Sequence, residues 1–506
     1  MAVQESKGGK PDPNLRLPTL QSLQQAGRLQ EAEAGYRECL RDGSARAAGL
    51  LATLLSQQRR DRELADLGEA LLAAAPADGE LIVNLSVALR RVGRLDEALQ
   101  HARRGVVLLP AAVPAWNALG VAAMEAGRLD EALAAFDSGL KADGQHPALW
   151  LHRAMALQLL QRNQEALPIF AQFTRAFPQV SEAWRGLGAA QEALGQMPAA
   201  LRSRQQAHAL APRDPDVVFE YASTLFKGGH FKDAARHFED AVKLRENHAQ
   251  SWLGLGRARL KLDDVAAARA ALERAKSLDA NDAGIAHLHA AITGTLPDTV
   301  ETDYIRNLFD DFAKDFEDAL VEQLSYDTPA KLAAFLKKQG ADTGERVLDL
   351  GCGTGLMAAE LARPARTIDG VDLSPRMLEQ ARAKDLYAEL HTGELIEFLQ
   401  TTDAHWDLIV ATDVLIYIPH AAATFAPTLA RLTPGGWFGF SIEASGSDAT
   451  ELPPQTGRYR QSPVRMASDL AAAGFVNIAR ESIVIRLESG KPVAGALLIA
   501  QRPSEA

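Results

Sequence analysis

The first part of the chain repeats itself at an interval of 34 residues, and this period limits its fold more than any other feature. The segment GRLDEA begins at Gly93 and recurs at Gly127. Four tryptophans keep the same phase, at Trp116, Trp150, Trp184 and Trp252. A unit of this length, made of two helices and a turn, cannot bury its apolar face alone. The units must therefore stack into a solenoid.

Small and aromatic residues inside the repeat indicate how its helices pack. In the unit at residues 113–146, Gly120 and Ala132 let two helices approach closely, and Trp116 and Phe136 fill the gaps between units. These positions resemble the framework of the tetratricopeptide repeat (TPR) family. The resemblance implies an all-α TPR solenoid of about eight repeats at residues 15–292.

The same resemblance implies a concave groove that binds an extended peptide or protein. An array that serves only for assembly or domain placement is the alternative. The predicted groove residues are largely apolar: Val83, Val87, Asn117, Met124, Leu151, Met155, Arg185, Phe219, Phe226 and Leu253. Such a lining favours an apolar extended segment over a charged tail.

A second constraint lies at residues 347–356, which read VLDLGCGTGL. A predicted strand breaks into Gly351, Gly353 and Gly355, and a predicted helix follows at residues 356–362. Glycine accepts positive φ and has no Cβ, so this turn brings backbone close to a ligand. Asp372, 21 residues beyond Gly351, ends the next predicted strand and is placed to accept two ribose hydroxyls. Asp349, just ahead of the turn, disfavours a diphosphate and suits a ligand with an amine.

Strand and helix patterns alternate from residue 346 to the end of the chain. Strands are predicted at residues 346–350, 367–372, 388–392, 406–411 and 436–442, and a closing hairpin at 476–487 and 493–501. This alternation predicts a parallel doubly wound sheet that binds ligands beyond the carboxyl ends of its strands.

Two motifs, DLGCGTG at residues 349–355 and GVDLSPRML at 370–378, resemble those of class I S-adenosylmethionine-dependent methyltransferases. The whole chain is similar to bacterial predicted methyltransferases with an N-terminal TPR array. The resemblance implies a fold of α + α/β class, in which a Rossmann-like seven-stranded class I methyltransferase domain at 341–506 follows the solenoid. Residues 293–340 are expected to form a linker and lid helices, and residues 1–14 a disordered tail.

The resemblance also assigns the cofactor, S-adenosyl-L-methionine, and its contacts. The cofactor-binding residues are Asp349, Gly351, Gly353, Gly355, Asp372, Leu373, Met377, Glu394 and Asp413. Leu373 and Met377 would enclose adenine, with ordinary helix–sheet packing as the alternative. Glu394 would accept the adenine amino group. Asp413 would face the methionyl end or the substrate.

Candidates for a catalytic base lie past the fourth and fifth strands: Tyr417, His420, Glu443 and Tyr459. Each has a structural role as its alternative. An amphipathic segment before the glycine turn is predicted to form a helix. Its apolar side chains either pack against the core or, at one end of the segment, form a lid over the site. The lid and substrate residues are Tyr304, Phe312, Phe316, Tyr326 and Arg458. Gln461 stands where the family usually has a histidine, which puts a base at that position in doubt.

The sequence thus predicts an S-adenosylmethionine-dependent methyltransferase that acts on an O or N acceptor. The TPR array would recruit a peptide, protein or carrier-bound substrate. The alternatives are a small-molecule methyltransferase that uses the array for assembly, and a non-catalytic scaffold that binds the cofactor.

Charge and composition limit the partners, the location and the metal content that we expect for this protein. From Pro297 onward, 19 Lys and Arg stand against 31 Asp and Glu, a net of −12, which argues against nucleic acid as a partner. No apolar run approaches 18 residues, so no membrane span is predicted. The polar N-terminus predicts a cytoplasmic location. Cys39 and Cys352 lack metal-ligand spacing, and no metal is predicted. The oligomeric state stays open.

Overall fold

The computed structural model describes residues 12–297, 302–312, 326–488 and 490–504. These residues form two compact units, which divide between His230 and Phe231. The division falls inside the repeat series, so the last helices of the series belong to the second unit. Residues 1–11 of the predicted tail lie outside the described residues, and Pro13–Arg16 form a short 3-10 helix.

The described part of the first unit is a succession of helices of nearly constant length. They are α1 (Leu17–Gln25), α2 (Leu29–Arg41), α3 (Ala45–Gln57), α4 (Asp61–Ala74), α5 (Gly79–Arg91), α6 (Leu95–Leu108), α7 (Val113–Glu125), α8 (Leu129–Ala142), α9 (Pro147–Leu159), α10 (Asn163–Ala176), α11 (Ser181–Ala193), α12 (Met197–Leu210) and α13 (Pro215–Lys227). Gly93 and Gly127 end the first helix of their pairs in the left-handed region, at φ of 86° and 73°. Glycine takes this conformation without a steric penalty, which explains its place in the 34-residue period.

The close packing predicted from small residues is present between neighbouring helices, both within a pair and between successive pairs. A Cβ on Gly120 of α7 would lie 2.2 Å from the ring of Phe136, which comes from α8. Gly186 of α11 has the same relation to Phe170 of α10, at 2.3 Å. Both rings are fully buried. Each glycine therefore provides the space that an aromatic ring of a neighbouring helix fills.

Several predicted groove residues of the first unit are engaged within it. Val83 and Leu151 are buried among apolar side chains. The amide oxygen of Asn117 lies 2.8 Å from a ring nitrogen of His152. Arg185 makes two hydrogen bonds with Glu220, at 2.9 and 2.5 Å. The apolar part of the predicted lining is therefore partly core, and polar pairs recur on the first helices of successive repeats.

The second unit begins with the last repeat helices and continues into a sheet with helices around it. Its helices are α14 (Phe231–Leu244), α15 (Ala249–Lys261), α16 (Val265–Leu278), α17 (Ala283–Thr293), α18 (Thr302–Phe312), α19 (Thr328–Lys338), α20 (Leu356–Leu361), α21 (Pro375–Ala383), α22 (Leu395–Thr401), α23 (Phe425–Arg431) and α24 (Pro463–Ala472). Its strands are β1 (Arg346–Leu350), β2 (Thr367–Asp372), β3 (Glu389–Thr392), β4 (Trp406–Ala411), β5 (Leu432–Ala444), β6 (Arg460–Gln461), β7 (Val476–Glu488) and β8 (Lys491–Gln501).

The strands form one sheet in the order β3-β2-β1-β4-β5-β8-β7, with β6 paired to β5 outside this path. Strands β1 to β5 run parallel, and β8 is antiparallel to both β5 and β7. The predicted fold class is confirmed: a helical TPR array precedes an eight-stranded sheet whose main path contains seven strands. The two-residue β6 was not predicted. Strand β5 begins four residues before the predicted 436, where the Gly435 N–H donates to the Arg502 carbonyl at 3.2 Å.

Both faces of the sheet are covered, as the parallel strands require. Leu348 and Ile409 belong to one buried cluster, and Val347 and Val410 belong to the other. Neighbouring residues of a strand thus enter opposite layers. The apolar strands are therefore fixed in register, and their carboxyl ends come to one edge.

The packing of Phe136 against Gly120 predicts that alanine at position 120 destabilises the protein, although alanine usually stabilises a helix. Gly120→Ala gains about 1 kcal/mol of helix propensity but meets the Phe136 ring, and overpacking of this kind costs about 1–3 kcal/mol. We expect a net loss of stability and a lower melting temperature in circular dichroism. Gly144→Ala is the matched control, because its Cβ meets only ordinary contacts. Equal melting of both variants would contradict the packing account.

Candidate functional site

A cleft with about 1180 Å³ of empty space, part of it open to solvent, lies in the second unit at the carboxyl ends of the parallel strands. Gly351, Gly353 and Asp372 line one end of it. Asp413, Tyr417 and Arg458 line the other. We call these the glycine-turn end and the β4 end. The sequence placed both sets of residues at strand ends, and the structure brings them to one cavity.

The glycine turn leaves β1 in a conformation that other residues rarely adopt. Gly351, Gly353 and Gly355 have φ of 64°, 55° and 90°. Gly353 has open space where a Cβ would stand, whereas Gly351 is packed against Val414. Helix α20 starts directly after Gly355, so the turn presents bare backbone and the start of a helix to the cleft.

Asp372 ties this turn to the end of β2. Its Oδ2 accepts from the Gly353 N–H at 2.8 Å, and its Oδ1 accepts from the Ser374 N–H at 2.8 Å. Burial raises the pKa of Asp372 above its ordinary value, and these two amides oppose the shift. Each carboxylate oxygen keeps a further lone pair. The group is thus fixed in position and can accept two adjacent hydroxyls.

Three further predicted cofactor residues lie on the wall beyond Asp372. Leu373 and Met377 line the cleft at the start of α21. Glu394 also lines the cleft, and its Oε2 caps α22 by accepting from the Glu397 N–H at 2.8 Å. This arrangement offers a planar group an apolar slot with a carboxylate nearby.

Asp349 lies at the end of β1, beneath the glycine turn, and does not belong to the cleft lining. Its Oδ2 accepts from the Tyr387 hydroxyl at 2.8 Å, while its Oδ1 has no hydrogen-bond partner. The residue is 1% exposed, and burial raises its pKa to about 7. An orphaned buried oxygen of this kind is a ready acceptor for a ligand donor.

The β4 end of the cleft is built on a buried ion network that the sequence did not reveal. Arg486 of β7 donates to Asp413 Oδ2 at 2.9 Å, to Glu488 at 3.0 Å and to Glu443. Arg486 is 4% exposed and Glu443 is fully buried. Arg458 donates to Glu443 at 2.7 Å and also to Glu488. Two arginines therefore hold three carboxylates in one rigid group.

Asp413 occupies an unusual backbone position within this group. It adopts φ of 55°, its N–H donates to the Ser441 hydroxyl at 2.8 Å, and that hydroxyl lies 3.2 Å from Asp413 Oδ1. Burial raises the pKa of Asp413, although Arg486 favours the charged form. Non-glycine residues in this region cluster at functional sites.

Helix α18 supplies one wall of the cleft. Ile305 and Phe309 line the cavity, and the Phe309 ring makes an edge contact with Tyr417 at 5.2 Å. The Ser374 hydroxyl donates to the Asp310 carboxylate at 2.5 Å, which anchors α18 to α21. Of the predicted lid residues, Tyr326 also lines the cavity. The Phe312 side chain and Phe316 lie outside the described residues.

The four predicted base candidates occupy different environments in the structure. Tyr417 is on the cleft wall, and burial raises its pKa to about 12. Glu443 lies behind the wall, bound by Arg458 and Arg486. His420 is exposed and outside the lining. Tyr459 is buried against Ala291 and Leu452, also outside the lining.

Gln461, which departs from the family pattern, makes hydrogen bonds within the fold. Gln461 of β6 accepts from the Thr450 hydroxyl at 2.9 Å and donates to the Ile418 carbonyl at 3.3 Å. It is 1% exposed and outside the cleft lining. The replacement of histidine by glutamine therefore leaves the composition of the cleft wall unchanged.

The sequence missed Arg486 and Glu488 because a strand pattern does not show a bulge. The pairing of β7 with β8 shifts between Val484 and Arg486. Ile485 and Arg486 are both buried in succession, which a regular strand with alternating faces does not allow. A signal was available in the closing hairpin, where an arginine interrupts an apolar strand.

A cleft that holds a glycine turn, a fixed acid at the end of β2 and an apolar slot defines a Rossmann-like nucleoside-binding site. Matches to known protein families identify the class of this domain. Residues 320–479 match the family described as a methyltransferase domain. Residues 83–147, 220–283 and 123–191 match tetratricopeptide repeat families.

Curated relatives match a shorter stretch. A ubiquinone biosynthesis O-methyltransferase of Vibrio cholerae is 32% identical over 121 residues, which are 22% of this chain and 48% of the relative. The corresponding protein of Thiobacillus denitrificans is 32% identical over 104 residues, 19% of this chain and 44% of the relative. The chain thus spans about half the length of the curated relatives it matches.

Solved structures resemble each part of the chain separately. A chain of the APC/C Cut9–Hcn1 heterotetramer is 15% identical, with a TM-score of 0.43 and coverage of 55% of both chains. Magnesium protoporphyrin IX methyltransferase from Synechocystis PCC 6803, solved with bound S-adenosylmethionine, is 20% identical, with a TM-score of 0.30 and coverage of 40% of this chain and 96% of that one.

The chain therefore carries N-terminal tetratricopeptide repeats and a class I methyltransferase domain, and the cofactor of that domain is S-adenosylmethionine. The residues present fit this cofactor. The open backbone at Gly353, the two fixed oxygens of Asp372 and the orphaned Oδ1 of Asp349 match a nucleoside that also bears an amine.

The described ranges hold neither a candidate metal site nor a candidate membrane span. They contain no group of three or more His, Cys, Asp or Glu side chains arranged to hold a metal ion. None of the helices in these ranges combines the length and the apolar character needed to cross a membrane.

The fixed carboxylate of Asp372 predicts a large effect on cofactor binding. Asp372→Ala removes two charge-assisted hydrogen bonds to the ribose, and each is worth about 1.5 kcal/mol, so the affinity for S-adenosylhomocysteine should fall roughly 100-fold. Isothermal titration calorimetry measures this change. The control is Asp403→Ala, which alters an exposed carboxylate of the same domain. If Asp372→Ala binds as tightly as this control, the ribose role of Asp372 is wrong.

Asp349 predicts a pH dependence of cofactor binding. Burial favours its neutral form below pH 7, whereas a ligand with a positive amine favours the carboxylate, so binding below pH 7 must release a proton. Affinity for S-adenosylhomocysteine should therefore rise about tenfold from about pH 6 to about pH 8. Calorimetry in buffers of different ionisation enthalpy also counts the released proton. Asp349→Asn should show neither effect. A flat wild-type profile would contradict the assignment.

Proposed function

We propose that the chain is an S-adenosylmethionine-dependent methyltransferase that transfers the methyl group to an oxygen or nitrogen acceptor, and that its repeats recruit a peptide, protein or carrier-bound substrate. One observation carries the proposal. A single cleft has a nucleoside-binding end, with Gly353 and Asp372, and a β4 end enclosed by aromatic rings and an ion network.

The cofactor supplies an electrophilic methyl group on a sulfonium when it is bound. The glycine turn and Asp372 orient the nucleoside, and Leu373 and Met377 hold its base. A cofactor held by these residues would be fixed relative to the acceptor. In-line placement of two reactants accounts for much of the acceleration of such reactions.

The β4 end encloses the acceptor and excludes water, and its candidate bases are mostly not free to accept a proton. Tyr417 stays protonated at neutral pH because its pKa is about 12, so it can donate a hydrogen bond but cannot accept a proton. Glu443 is bound by two arginines. Asp413 is the predicted residue that remains, since it lines the cleft and burial raises its pKa. We assign to Asp413 a position that faces the acceptor or the methionyl end of the cofactor.

The walls of the β4 end suit an acceptor with an apolar or aromatic body. Phe309, Tyr326 and Tyr417 contribute rings, and Ile305 and Ile418 contribute aliphatic surface. The charged groups there form ion pairs with each other, and the three carboxylates exceed the two arginines by one formal negative charge. Exclusion of water by such walls keeps the acceptor nucleophile poorly solvated.

The repeats support the recruitment part of the proposal. Arrays of this family commonly present concave surfaces to peptides or proteins. In the first unit the surface side chains include the pairs Asn117–His152 and Arg185–Glu220, which can exchange partners with a polar backbone. A peptide or protein with both apolar and polar groups therefore suits this unit better than a purely apolar segment.

Two alternatives predicted from the sequence give different experimental outcomes. A small-molecule methyltransferase would retain its full rate when the first unit is absent. A scaffold that only binds cofactor would show no turnover with any acceptor. Gln461, the residue that raised this last alternative, lies outside the cleft lining, so it gives the scaffold no structural support.

Removal of the first unit tests the proposal. Full-length protein and residues 231–506 are incubated with methyl-labelled S-adenosylmethionine and a lysate of the source cells. We expect the full chain to label a discrete macromolecular species, and the shorter chain to label it at least about tenfold more slowly, since recruitment raises the local substrate concentration. Equal S-adenosylhomocysteine affinity shows that the shorter chain is folded. Equal labelling by both would exclude recruitment by the first unit.

A further inference from the structure

A histidine of the last repeat helix contacts two walls of the β4 end. His287 of α17 is 4% exposed, and its Nε2 lies 2.7 Å from the Gly457 carbonyl oxygen. Its ring also stacks on Tyr304, the third residue of α18, with centroids 4.5 Å apart and an interplanar angle of 24°. Both contacts lie within the second unit. Neither partner is a near neighbour of His287 in the sequence.

The first contact fixes the segment that carries Arg458. A carbonyl oxygen only accepts hydrogen bonds, so Nε2 carries the proton. Burial lowers the pKa of His287, which keeps the ring neutral and leaves Nδ1 unprotonated. Gly457 has φ of 65°, and a Cβ there would lie 3.2 Å from His287 Nε2. The next residue, Arg458, lines the cleft and holds Glu443.

The second contact fixes the helix that closes the cleft on the opposite side. Tyr304 is followed by Ile305 and, one turn later, by Phe309, and both of these line the cavity. A shift of Tyr304 therefore moves both side chains, because α18 is a continuous helix of 11 residues.

Other residues of the repeat helices also contact the segment that carries Gly457. Ala291 of α17 is buried with Leu452 and Tyr459, which flank the segment that carries Gly457. Lys261 of α15 donates to the Gln455 carbonyl at 3.4 Å. The last repeats thus contact the segment at residues 452–459 at several points, and His287 joins this segment to α18 through its stacking on Tyr304.

We propose that His287 is a positioning residue, supplied by the repeat series, that holds the Gly457–Arg458 segment and helix α18 in register as the two walls of the acceptor site. The acceptor-binding half of the methyltransferase is then incomplete without α17. This proposal rests on the proposed function for its catalytic consequence, and on the geometry alone for the anchoring.

Two substitutions separate the two contacts. His287→Phe keeps a ring for Tyr304 but removes the donor to Gly457. His287→Gln keeps a donor nitrogen but removes the ring. We expect His287→Phe to raise hydrogen exchange at the Tyr459 and Arg460 amides about fivefold, since a single buried hydrogen bond is lost. We expect His287→Gln to raise exchange in residues 302–312 by a similar factor and to leave those two amides protected.

The experiment uses the full chain, with His289→Phe as the matched control on the same helix. His289 is partly exposed, and its ring nitrogen lies 3.3 Å from Lys276 Nζ rather than facing the cleft segments. Calorimetry with S-adenosylhomocysteine should give the wild-type affinity within about twofold for all three variants, since the cofactor contacts are elsewhere. This result also verifies that each variant is folded.

The outcomes distinguish this proposal from the proposed function. If both His287 variants exchange like His289→Phe, the anchoring is wrong, whatever the enzyme methylates. If the exchange pattern is as expected, methyl transfer to the lysate acceptor should fall at least about fivefold in both variants, with unchanged cofactor affinity. Unchanged transfer would overturn the positioning role. Absence of transfer in the wild type would count against the proposed function and leave the exchange result to decide the anchoring.

Discussion

The carboxylate of Asp372 is the interaction on which the arrangement of the cleft depends. It joins the Gly353 amide, in the turn after β1, to the Ser374 amide at the start of α21. Ser374 in turn caps α21 through the Met377 N–H at 3.1 Å and donates to Asp310 of α18. One chain of hydrogen bonds thus links the sheet, the nucleoside-binding turn and the helix that covers the cleft. Because the acid is buried, loss of any member leaves a polar group without a partner.

The opposite end of the cleft depends on buried charge. Arg486 reaches Asp413, Glu443 and Glu488 from a bulge in β7. Arg458, in the segment before β6, binds two of these carboxylates, Glu443 and Glu488. Such a network contributes little net stability, because desolvation offsets the attraction. Its effect is to fix shape, since removal of any single partner leaves an uncompensated charge. The two ends therefore differ: the glycine-turn end presents backbone amides and an acid, and the β4 end is walled by paired charges and rings.

The sequence predicted the elements whose residues follow a regular period. The 34-residue repeat, the alternating strands and the glycine turn all appear where they were expected, because each is a local pattern. What depends on irregular backbone could not be predicted. The bulge that buries Arg486 has no regular pattern, and the contact of His287 with Gly457 joins residues 170 positions apart.

The apolar character of the predicted groove was also overestimated, since Val83 and Leu151 have the right position in the repeat but pack into the core. A helical face predicts which residues share a side, but neighbouring helices decide which of them stay exposed.

A crystal structure of the chain with S-adenosylhomocysteine tests the central claim most directly. The account predicts that the ribose hydroxyls contact Asp372, that adenine lies between Met377 and Glu394, and that the sulfur atom points toward Asp413 and Tyr417. The vacated methyl position would then open onto the walls formed by Arg458 and α18. A nucleoside bound in the reverse direction, or outside this cleft, would contradict the division of the site into a cofactor end and an acceptor end.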